Sequence, residues 1–193
     1  MGGDFEVDEL GSYNAYEEYL ALPEDVRAEF VNSRIIMMAQ PTVVHQRIQR
    51  QLTLQLGGFL HGKHCELFTA PIGVHLTNKR GKDEVFEPDL IVVCDKNKLK
   101  KDGCYGAPDL IIEILSPSNR GYDRVIKFNK YLQAGVREYW IVDPEDISVN
   151  VNILRGGEYV SKAYGEHDDA PVTVLPGCVI SLSNIFSLPN GAE

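Results

Sequence analysis

Two acidic residues occur at short apolar runs that are typical of buried β-strands. Asp89 directly precedes the run Leu90–Cys94, and Glu113 lies within the run Leu110–Leu115. Both runs are rich in Ile, Leu and Val and are bounded by turn-forming residues, a pattern that favours strands over helices. A carboxylate in a buried strand is costly unless a cation, a hydrogen-bond donor or a proton compensates it.

The alternation of side chains along a strand predicts where these two carboxylates point. Asp89 shares a face with Ile91 and Val93, and Glu113 shares a face with Ile111. If the strands are neighbours with those faces aligned, the two carboxylates converge. A pair of carboxylates completed by substrate phosphate is a usual way to hold Mg²⁺. The sequence therefore predicts a magnesium site, with Mn²⁺ as the expected substitute.

Each acid also has a structural explanation, which the sequence leaves open. Asp89 stands at a strand start, where it can cap the strand or pair with an arginine. Glu113 can lie on a half-solvated strand face. Asp109 enters the second strand on the same face as Glu113, and we interpret it as a structural or supporting acid.

A long helix is predicted upstream, over Val43–Leu60, with Thr42 as its N-terminal cap. Ile48 and Leu52 lie on its apolar stripe, and His45 falls on the same stripe at its start. His45 is either a core histidine bonded to a backbone carbonyl or a residue that points into the site, near a phosphate or a water.

A second helix, predicted over Tyr122–Ala134, follows the strand that carries Glu113. Asp123 and Lys127 lie one turn apart on the face beside its apolar stripe. They form either an ordinary i,i+4 ion pair, worth about 0.2–0.5 kcal/mol, or a group in which Lys127 reaches the Asp89–Glu113 pair. The apolar stripe consists of Val125, Phe128 and Leu132.

The remaining pattern predicts an α/β (α+β) fold with a mixed β-sheet flanked by helices. The Gly156-Gly157 turn predicts an additional β-hairpin. We expect a flexible N-terminus over 1–12, a single domain over 13–188 and a tail over 189–193. The other predicted helices are Asn14–Leu20 and Pro23–Phe30, and the other predicted strands are Arg34–Ala39, Glu66–Thr69, Ile72–Leu76, Val136–Val142, Ile147–Leu154, Tyr159–Tyr164 and Cys178–Leu182.

Charge and cysteine content narrow the class of protein. The 193 residues carry a net charge of −9, which argues against coating of nucleic acid by bulk charge. A loop with Lys96, Lys98, Lys100 and Lys101 is either merely solvated or in contact with a phosphate backbone. The four cysteines form no CxxC pair, so we expect reduced thiols in a cytoplasmic protein. No apolar run is long enough to span a bilayer.

The motifs of the central region resemble those of a nuclease superfamily. In order, they are Pro88-Asp89, PDLIIEILSPS from Pro108 to Ser118, Asp123 with Lys127, and YLQAGVREYWIVDP from Tyr131 to Pro144. This ordered set resembles the PD-(D/E)xK nucleases, and within them the bacterial restriction-endonuclease-like family often called Uma-two. The likeness covers most of the chain, from Pro23 to Phe186, and implies a restriction-endonuclease-like fold.

The resemblance also implies roles for individual residues. Asp89 and Glu113 would be catalytic metal ligands, with the backbone carbonyl of Ile114 as a further ligand. The superfamily places a lysine two positions after the second acid, where this chain has Leu115. Lys127, on the following helix, would take the place of that catalytic lysine.

An acid near the N-terminus completes the set that the resemblance implies. Glu29 corresponds to the superfamily's catalytic acid from the N-terminal helix, which supports the metal site. It lies near Asn32-Ser33, where the family usually has Asp-Gly.

We therefore hypothesise an endonuclease that uses Mg²⁺ to hydrolyse DNA phosphodiester bonds. A homodimer is expected, because cutting both strands with this kind of site needs two copies. Two alternatives stay open: a catalytically silent dimeric interaction or regulatory module, and a metal-dependent phosphoesterase for a small substrate. The candidate substrate-binding residues are His45, Arg120, Asp123, Arg124 and Lys130.

Overall fold

The structure is a computed structural model that describes residues 9–23, 25–78, 81, 83–117 and 120–187. Its side chains are described from residue 15 onward. The tail predicted over 189–193 lies outside the described residues, as do residues 1–8 of the predicted flexible N-terminus. A helix begins at Glu9, five residues before the predicted start. Among the described residues, no helix is both long and apolar enough to cross a membrane.

A few helices interrupt runs of strands along the chain, in agreement with the predicted α+β class. The helices are α1 (Glu9–Leu20), α2 (Val43–Leu60), α3 (Phe128–Ala134) and α4 (Leu182–Phe186), with a 3₁₀ turn at Lys96–Lys98 and a π turn at Tyr122–Lys127. The strands are β1 (Ala28–Val31), β2 (Arg34–Met37), β3 (Glu66–Thr69), β4 (Gly73–Thr77), β5 (Asp83–Phe86), β6 (Leu90–Val93), β7 (Leu99–Lys100), β8 (Gly103–Tyr105), β9 (Leu110–Ile114), β10 (Glu138–Asp143), β11 (Ser148–Arg155), β12 (Glu158–Gly165), β13 (Asp169–Pro171) and β14 (Val179–Ser181).

Two six-stranded mixed sheets dominate the described fold, where the sequence predicted one. The central sheet has the order β12-β11-β10-β9-β6-β3, and the second sheet has the order β2-β1-β5-β4-β8-β7. In the central sheet, β9 and β10 are parallel and the other neighbours are antiparallel. The predicted additional hairpin is confirmed as β11–β12.

The central sheet is buried on both faces. On one face, Leu90 and Ile112 pack with the apolar stripe of α2, which includes Leu52. On the other face, Ile91 and Ile111 pack with residues of the second sheet and of α3. This burial explains why β6 and β9 are continuous apolar runs rather than alternating ones.

Helix α2 has the predicted bounds, and its start has the predicted cap. The Thr42 side chain accepts a hydrogen bond from the His45 backbone N–H at 3.2 Å. Ile48, Leu52 and Leu56 are buried in the core, so packing of one apolar face and a capped end together account for the helix.

The helix predicted over Pro23–Phe30 is wrong, because residues 28–31 form strand β1. This strand pairs with β2 through a two-residue turn at Asn32 and Ser33, whose φ angles are 52° and 59°. Two positive φ angles are the pattern of the type I′ hairpin turn. Pairing of Phe30 with Val85 of β5 also favours the strand, and short-range patterns do not reveal such pairing.

The prediction of four reduced cysteines is wrong for two of them. Cys65 and Cys94 form a disulfide bond. The register of the antiparallel pair β3–β6 sets Glu66 opposite Val93, and one further step sets the two cysteines opposite each other. Cys104 and Cys178 are free and buried.

Two glycines allow the close approach of parallel strands β4 and β8. A Cβ atom on Gly103 would lie 2.4 Å from the Gly73 carbonyl oxygen, whereas a Cβ on Gly58 in α2 would meet nothing within 4 Å. We predict that Gly103→Ala lowers the free energy of unfolding by at least about 1 kcal/mol. Gly58→Ala, on an exposed helix surface, should raise it by about 0.4–1 kcal/mol. Urea denaturation followed by circular dichroism measures both, and a Gly103→Ala protein as stable as the wild type would contradict the packing.

Candidate active site

The two acidic residues singled out by the sequence lie at neighbouring strands. Strands β6 and β9 are antiparallel, with Leu90 opposite Ile112. One further step in this register sets Asp89 opposite Glu113. The Ile114 backbone N–H donates a hydrogen bond of 2.8 Å to Asp89 Oδ2. The predicted alignment of the two strands is confirmed.

A lysine joins this pair from the next helical segment. Lys127 Nζ lies 2.9 Å from Glu113 Oε1, 2.9 Å from Glu29 Oε1 and 3.3 Å from Asp123 Oδ1. The Lys127 side chain is only 3% exposed. The Tyr131 hydroxyl donates to Glu113 Oε1 at 2.8 Å. The structure thus brings the predicted acid, lysine and N-terminal acid together, although Glu29 lies on strand β1 and not on a helix.

The π turn explains how charged side chains come to face the protein interior. Asp123 and Lys127 are buried, as is Tyr131 four residues further on. Of the predicted apolar stripe, Val125 is 56% exposed, whereas Phe128 is partly buried and packs against the rings of Tyr139 and Tyr159. The wider i→i+5 winding of a π turn often occurs at functional sites. In this π turn, Asp123 and Lys127 point into the protein, and the attraction between their opposite charges stabilises that orientation.

Helix α2 holds Asp89 from the opposite side of the sheet. His45 Nε2 lies 3.1 Å from Asp89 Oδ2, and Gln49 Nε2 donates to the Asp89 carbonyl at 3.1 Å. His45 is buried, and its Nδ1 atom has no hydrogen-bond partner among the described residues. The sequence missed Gln49, although its position four residues after His45 on the same helical face could have suggested it.

The carboxyl groups of this cluster outnumber its cations. Glu29, Asp89, Glu113 and Asp123 are all buried. Three of them, Glu29, Glu113 and Asp123, share the one buried ammonium of Lys127, whereas Asp89 contacts His45. Burial is the main cause that raises the pKa of Glu113 well above 4.5, and Lys127 opposes it only in part. Burial likewise raises the pKa of Asp123 from 3.8 to about 6. The cluster therefore favours an additional positive charge or a proton.

The lysine keeps its charge in this setting. Burial alone would lower the pKa of Lys127, but the carboxylates of Glu113, Glu29 and Asp123 outweigh it and hold this pKa well above 10.5. A buried ammonium with several carboxylate partners is a fixed positive charge at neutral pH.

Three of the predicted phosphate-binding cations have partners inside the chain. Arg120 pairs with Asp143, Glu145 and Asp146, the acids at and after the end of β10. Arg124 Nη2 lies 2.5 Å from Asp143 Oδ2.

Lys130 also faces the protein rather than open solvent. Its Nζ atom lies 2.5 Å from Glu84 Oε1 and 2.7 Å from Asn32 Oδ1. Contact of these three cations with substrate phosphates stays a prediction, and each would have to exchange an existing partner.

The remaining candidate acid has a structural environment. Asp109 Oδ2 accepts from the Cys94 backbone N–H at 2.8 Å, and Asp109 Oδ1 lies 2.8 Å from Arg137 Nη1. Both oxygens are used in joining β6, β9 and β10, which agrees with the structural interpretation of Asp109.

The donor set fits a hard divalent cation held in part by substrate. Within the described residues, no three His, Cys, Asp or Glu side chains are arranged to hold a metal ion by themselves. Magnesium commonly uses one or two carboxylates and completes its shell with water and substrate phosphate. The oxygens of Asp89 and Glu113, in a cluster with excess negative charge, meet that requirement.

A mixed sheet that presents opposed acids from adjacent strands and a lysine from the following helix defines a nuclease-like α+β scaffold. A solved structure from Anabaena variabilis, described as a "putative nuclease belonging to DUF820", shares this fold. Its TM-score is 0.71 at 22% identity, over 88% of this chain and 96% of that one.

Sequence comparison assigns the family. The Uma2 family, described as "Putative restriction endonuclease", matches residues 16–183, and the chain belongs to it. Two Synechocystis proteins are also similar. "Uncharacterized protein slr1290" is 28% identical over 70% of this chain and 71% of its own length. "Uncharacterized protein sll1609" is 27% identical over 65% of this chain and 72% of its own length.

Removal of the central cation should destabilise the fold strongly. We predict that Lys127→Met lowers the free energy of unfolding by about 3–5 kcal/mol, because it leaves buried carboxylates without their partner. Lys96→Met, which breaks the exposed pair with Glu66, should cost less than about 1 kcal/mol. The free energies of unfolding are measured by chemical denaturation. Equal decreases for the two variants would contradict a stabilising role of Lys127 in the cluster.

The raised pKa of Asp123 predicts a pH dependence of stability. The folded protein binds this proton more tightly than the unfolded chain, so stability falls as the pH rises from 3.8 to about 6. Asp123→Asn should remove this loss, on the order of 2 kcal/mol. The measurement is urea denaturation in EDTA between about pH 4 and pH 7, with the exposed Glu158→Gln as control. If the free energy of unfolding changed with pH in the same way for the wild type and Asp123→Asn, the raised pKa of Asp123 would be contradicted.

Proposed function

We propose that this protein is an endonuclease that uses Mg²⁺ to hydrolyse DNA phosphodiester bonds. The observation that carries the proposal is the buried cluster in which Glu29, Glu113 and Asp123 share the ammonium of Lys127, with a fourth buried acid, Asp89, at the neighbouring strand. Excess buried negative charge is costly in a purely structural role, whereas a phosphoryl-transfer site needs it to attract a cation. The family description and the nuclease-like fold support the same class of reaction.

Asp89 and Glu113 are the residues that would hold the metal, with the backbone carbonyl of Ile114 as a third donor. When bound, Mg²⁺ would polarise the scissile phosphoryl group and lower the pKa of a water. His45 and Gln49 fix the orientation of Asp89 through its side chain and its carbonyl, so that the metal-binding oxygens need little reorganisation.

Lys127 supplies the second electrostatic contribution. Its ammonium is protonated and held by Glu29, Glu113 and Asp123. Such a fixed donor stabilises negative charge that develops on phosphate oxygens and orients the attacking water. Glu29 and Asp123 therefore act on catalysis through the position of Lys127.

A homodimer is part of the proposal, because cleavage of both strands of a duplex requires two copies of this site. Arg120, Arg124 and Lys130 would contribute to phosphate binding only after exchange of their present partners, so their role is secondary.

A catalytically silent module is the second candidate, and one observation favours it. Lys127 already contacts three carboxylates, so its ammonium can stand in for the cation that the acids would otherwise hold. Metal affinity separates the two candidates. Calorimetry should detect one Mn²⁺ site that Glu113→Gln abolishes, and the absence of any site would favour the silent module.

Cleavage of plasmid DNA with Mg²⁺ tests the enzymatic proposal. We predict that Asp89→Asn and Glu113→Gln reduce the rate of nicking at least about 100-fold, because each removes a proposed metal ligand. Asp109→Asn is the matched control, since it neutralises a buried acid at the start of β9 with structural partners. Circular dichroism verifies folding, and activity of Glu113→Gln equal to wild type would refute the proposal.

A further inference from the structure

Two lysines of the β7–β8 hairpin differ from the other cations discussed above in their partners among the described residues. In the loop before β8, Lys96 pairs with Glu66, and Lys98 Nζ donates to the Ala107 carbonyl at 2.7 Å. Lys100 and Lys101, at the tip of the β7–β8 hairpin, are exposed. Among the described residues, no hydrogen bond or ion pair holds either of their ammonium groups. They contrast with Arg120, Arg124 and Lys130, whose charges are already compensated.

These two lysines line a groove of about 390 Å³. Pro71, Gly73 and Gly103 also line it, as does Asp102 beside the lysines. We call this feature the hairpin groove.

A hydrogen bond connects the lining of the hairpin groove to the carboxylate cluster. Glu87 is one of the lining residues, and its backbone N–H donates to Glu29 Oε1 at 3.0 Å. Glu29 in turn contacts Lys127 at 2.9 Å. A chain lying in the groove would therefore arrive beside the proposed catalytic groups.

A pair of stacked rings lies next to the hairpin groove, in contact with its lining residue Asp102. His75 and Tyr105 are opposite each other in strands β4 and β8, two residues beyond Gly73 and Gly103 and hence on the same face. Their ring centroids are 4.1 Å apart and their planes differ by 3°. Tyr105 is 41% exposed, and its hydroxyl donates to Asp102 Oδ2 at 2.8 Å, which fixes the ring.

The chemistry of this surface matches a nucleic-acid strand whose bases are free. An ammonium pair attracts phosphates, and an immobilised aromatic ring offers a flat face to a base of any identity. A paired base in a duplex has no free face for such stacking. Binding of a duplex typically requires several phosphate contacts. Two lysines in a chain of net charge −9 provide few such contacts.

We propose that the hairpin groove and the His75–Tyr105 stack bind an unpaired DNA strand and guide it to the carboxylate cluster. Phosphates lie against Lys100 and Lys101, and one base stacks on the exposed face of Tyr105. This inference rests on the proposed nuclease function, since it specifies the form of DNA that enters the same site.

Binding of labelled oligonucleotides in EDTA tests the proposal without cleavage. Fluorescence anisotropy would compare a single strand with a blunt duplex of the same sequence, using the full-length protein. We expect the wild type to bind the single strand at least about 10-fold more tightly. The double variant Lys100→Ala/Lys101→Ala should weaken this binding and reduce the slope of log K against log salt by about 1.4.

Tyr105 variants separate stacking from charge. Tyr105→Leu should weaken single-strand binding about 5- to 100-fold, with the salt slope unchanged. Tyr105→Phe, which keeps the ring and removes only its hydroxyl, should retain most of the affinity. Lys96→Ala is the matched control from the same loop, and its affinity should remain at the wild-type level.

The possible outcomes distinguish this inference from the proposed function. Equal or tighter binding of the duplex, or an unchanged affinity of the Tyr105→Leu or double-lysine variant, would overturn the inference even if the protein cuts DNA. Single-strand binding that depends on these residues, in a protein that Mg²⁺ does not activate, would support the inference and refute the catalytic proposal. Absence of any DNA binding in EDTA would overturn the inference, whereas the catalytic proposal is tested separately by plasmid cleavage with Mg²⁺.

Discussion

The ammonium of Lys127 is the charge on which the interior of this protein depends. It is buried, it lies within 3.3 Å of carboxylates from β1, β9 and the π turn, and its environment keeps it protonated. Those acids come from distant parts of the chain, so this one contact ties the second sheet, the central sheet and the helical segment together. A buried charge of this kind is stable only while all its partners are in place, and the site is therefore built into the fold.

The sequence predicted the parts of the site that follow from local periodicity. Helix α2, the two apolar strands and the opposition of Asp89 to Glu113 all derive from spacings of two or four residues. What it could not predict depends on contacts between distant segments. Strand β1 needs its pairing with β5, the Cys65–Cys94 bond needs the β3–β6 register, and the partners of Arg120 lie at least 23 residues away. The exposure of Val125 has the same origin, since buried acids outside the helix determine which side of the π turn faces inward.

The lysines proposed to attract DNA lie apart from the acids proposed to bind the metal. The four carboxyl groups of the cluster are buried, whereas Lys100 and Lys101 stand on an exposed hairpin and line a groove that Glu87 connects to the cluster. An acidic chain repels polyanions at long range, and within about 8–10 Å a local pair of cations can overcome that repulsion. In the proposed complex, the place where DNA is attracted and the place where it reacts are therefore different. This division lets the cluster remain acidic enough to bind a cation.

The turn at Asn32 and Ser33 has a consequence for how such a site can diverge. Both residues adopt left-handed backbone angles, which cost L-amino acids roughly 1–2 kcal/mol each, although asparagine tolerates them better. Glu29 stands in this outer hairpin, and a slip of one residue would turn its side chain to the opposite face of the sheet. Asp89 and Glu113 belong to the other sheet, so such a slip would reach them only through Lys127, which Glu29 and Glu113 share. Substitutions at Asn32 or Ser33 can thus change how firmly Glu29 holds Lys127. In the proposed enzyme, such substitutions would alter the rate of turnover without replacing the metal-binding residues.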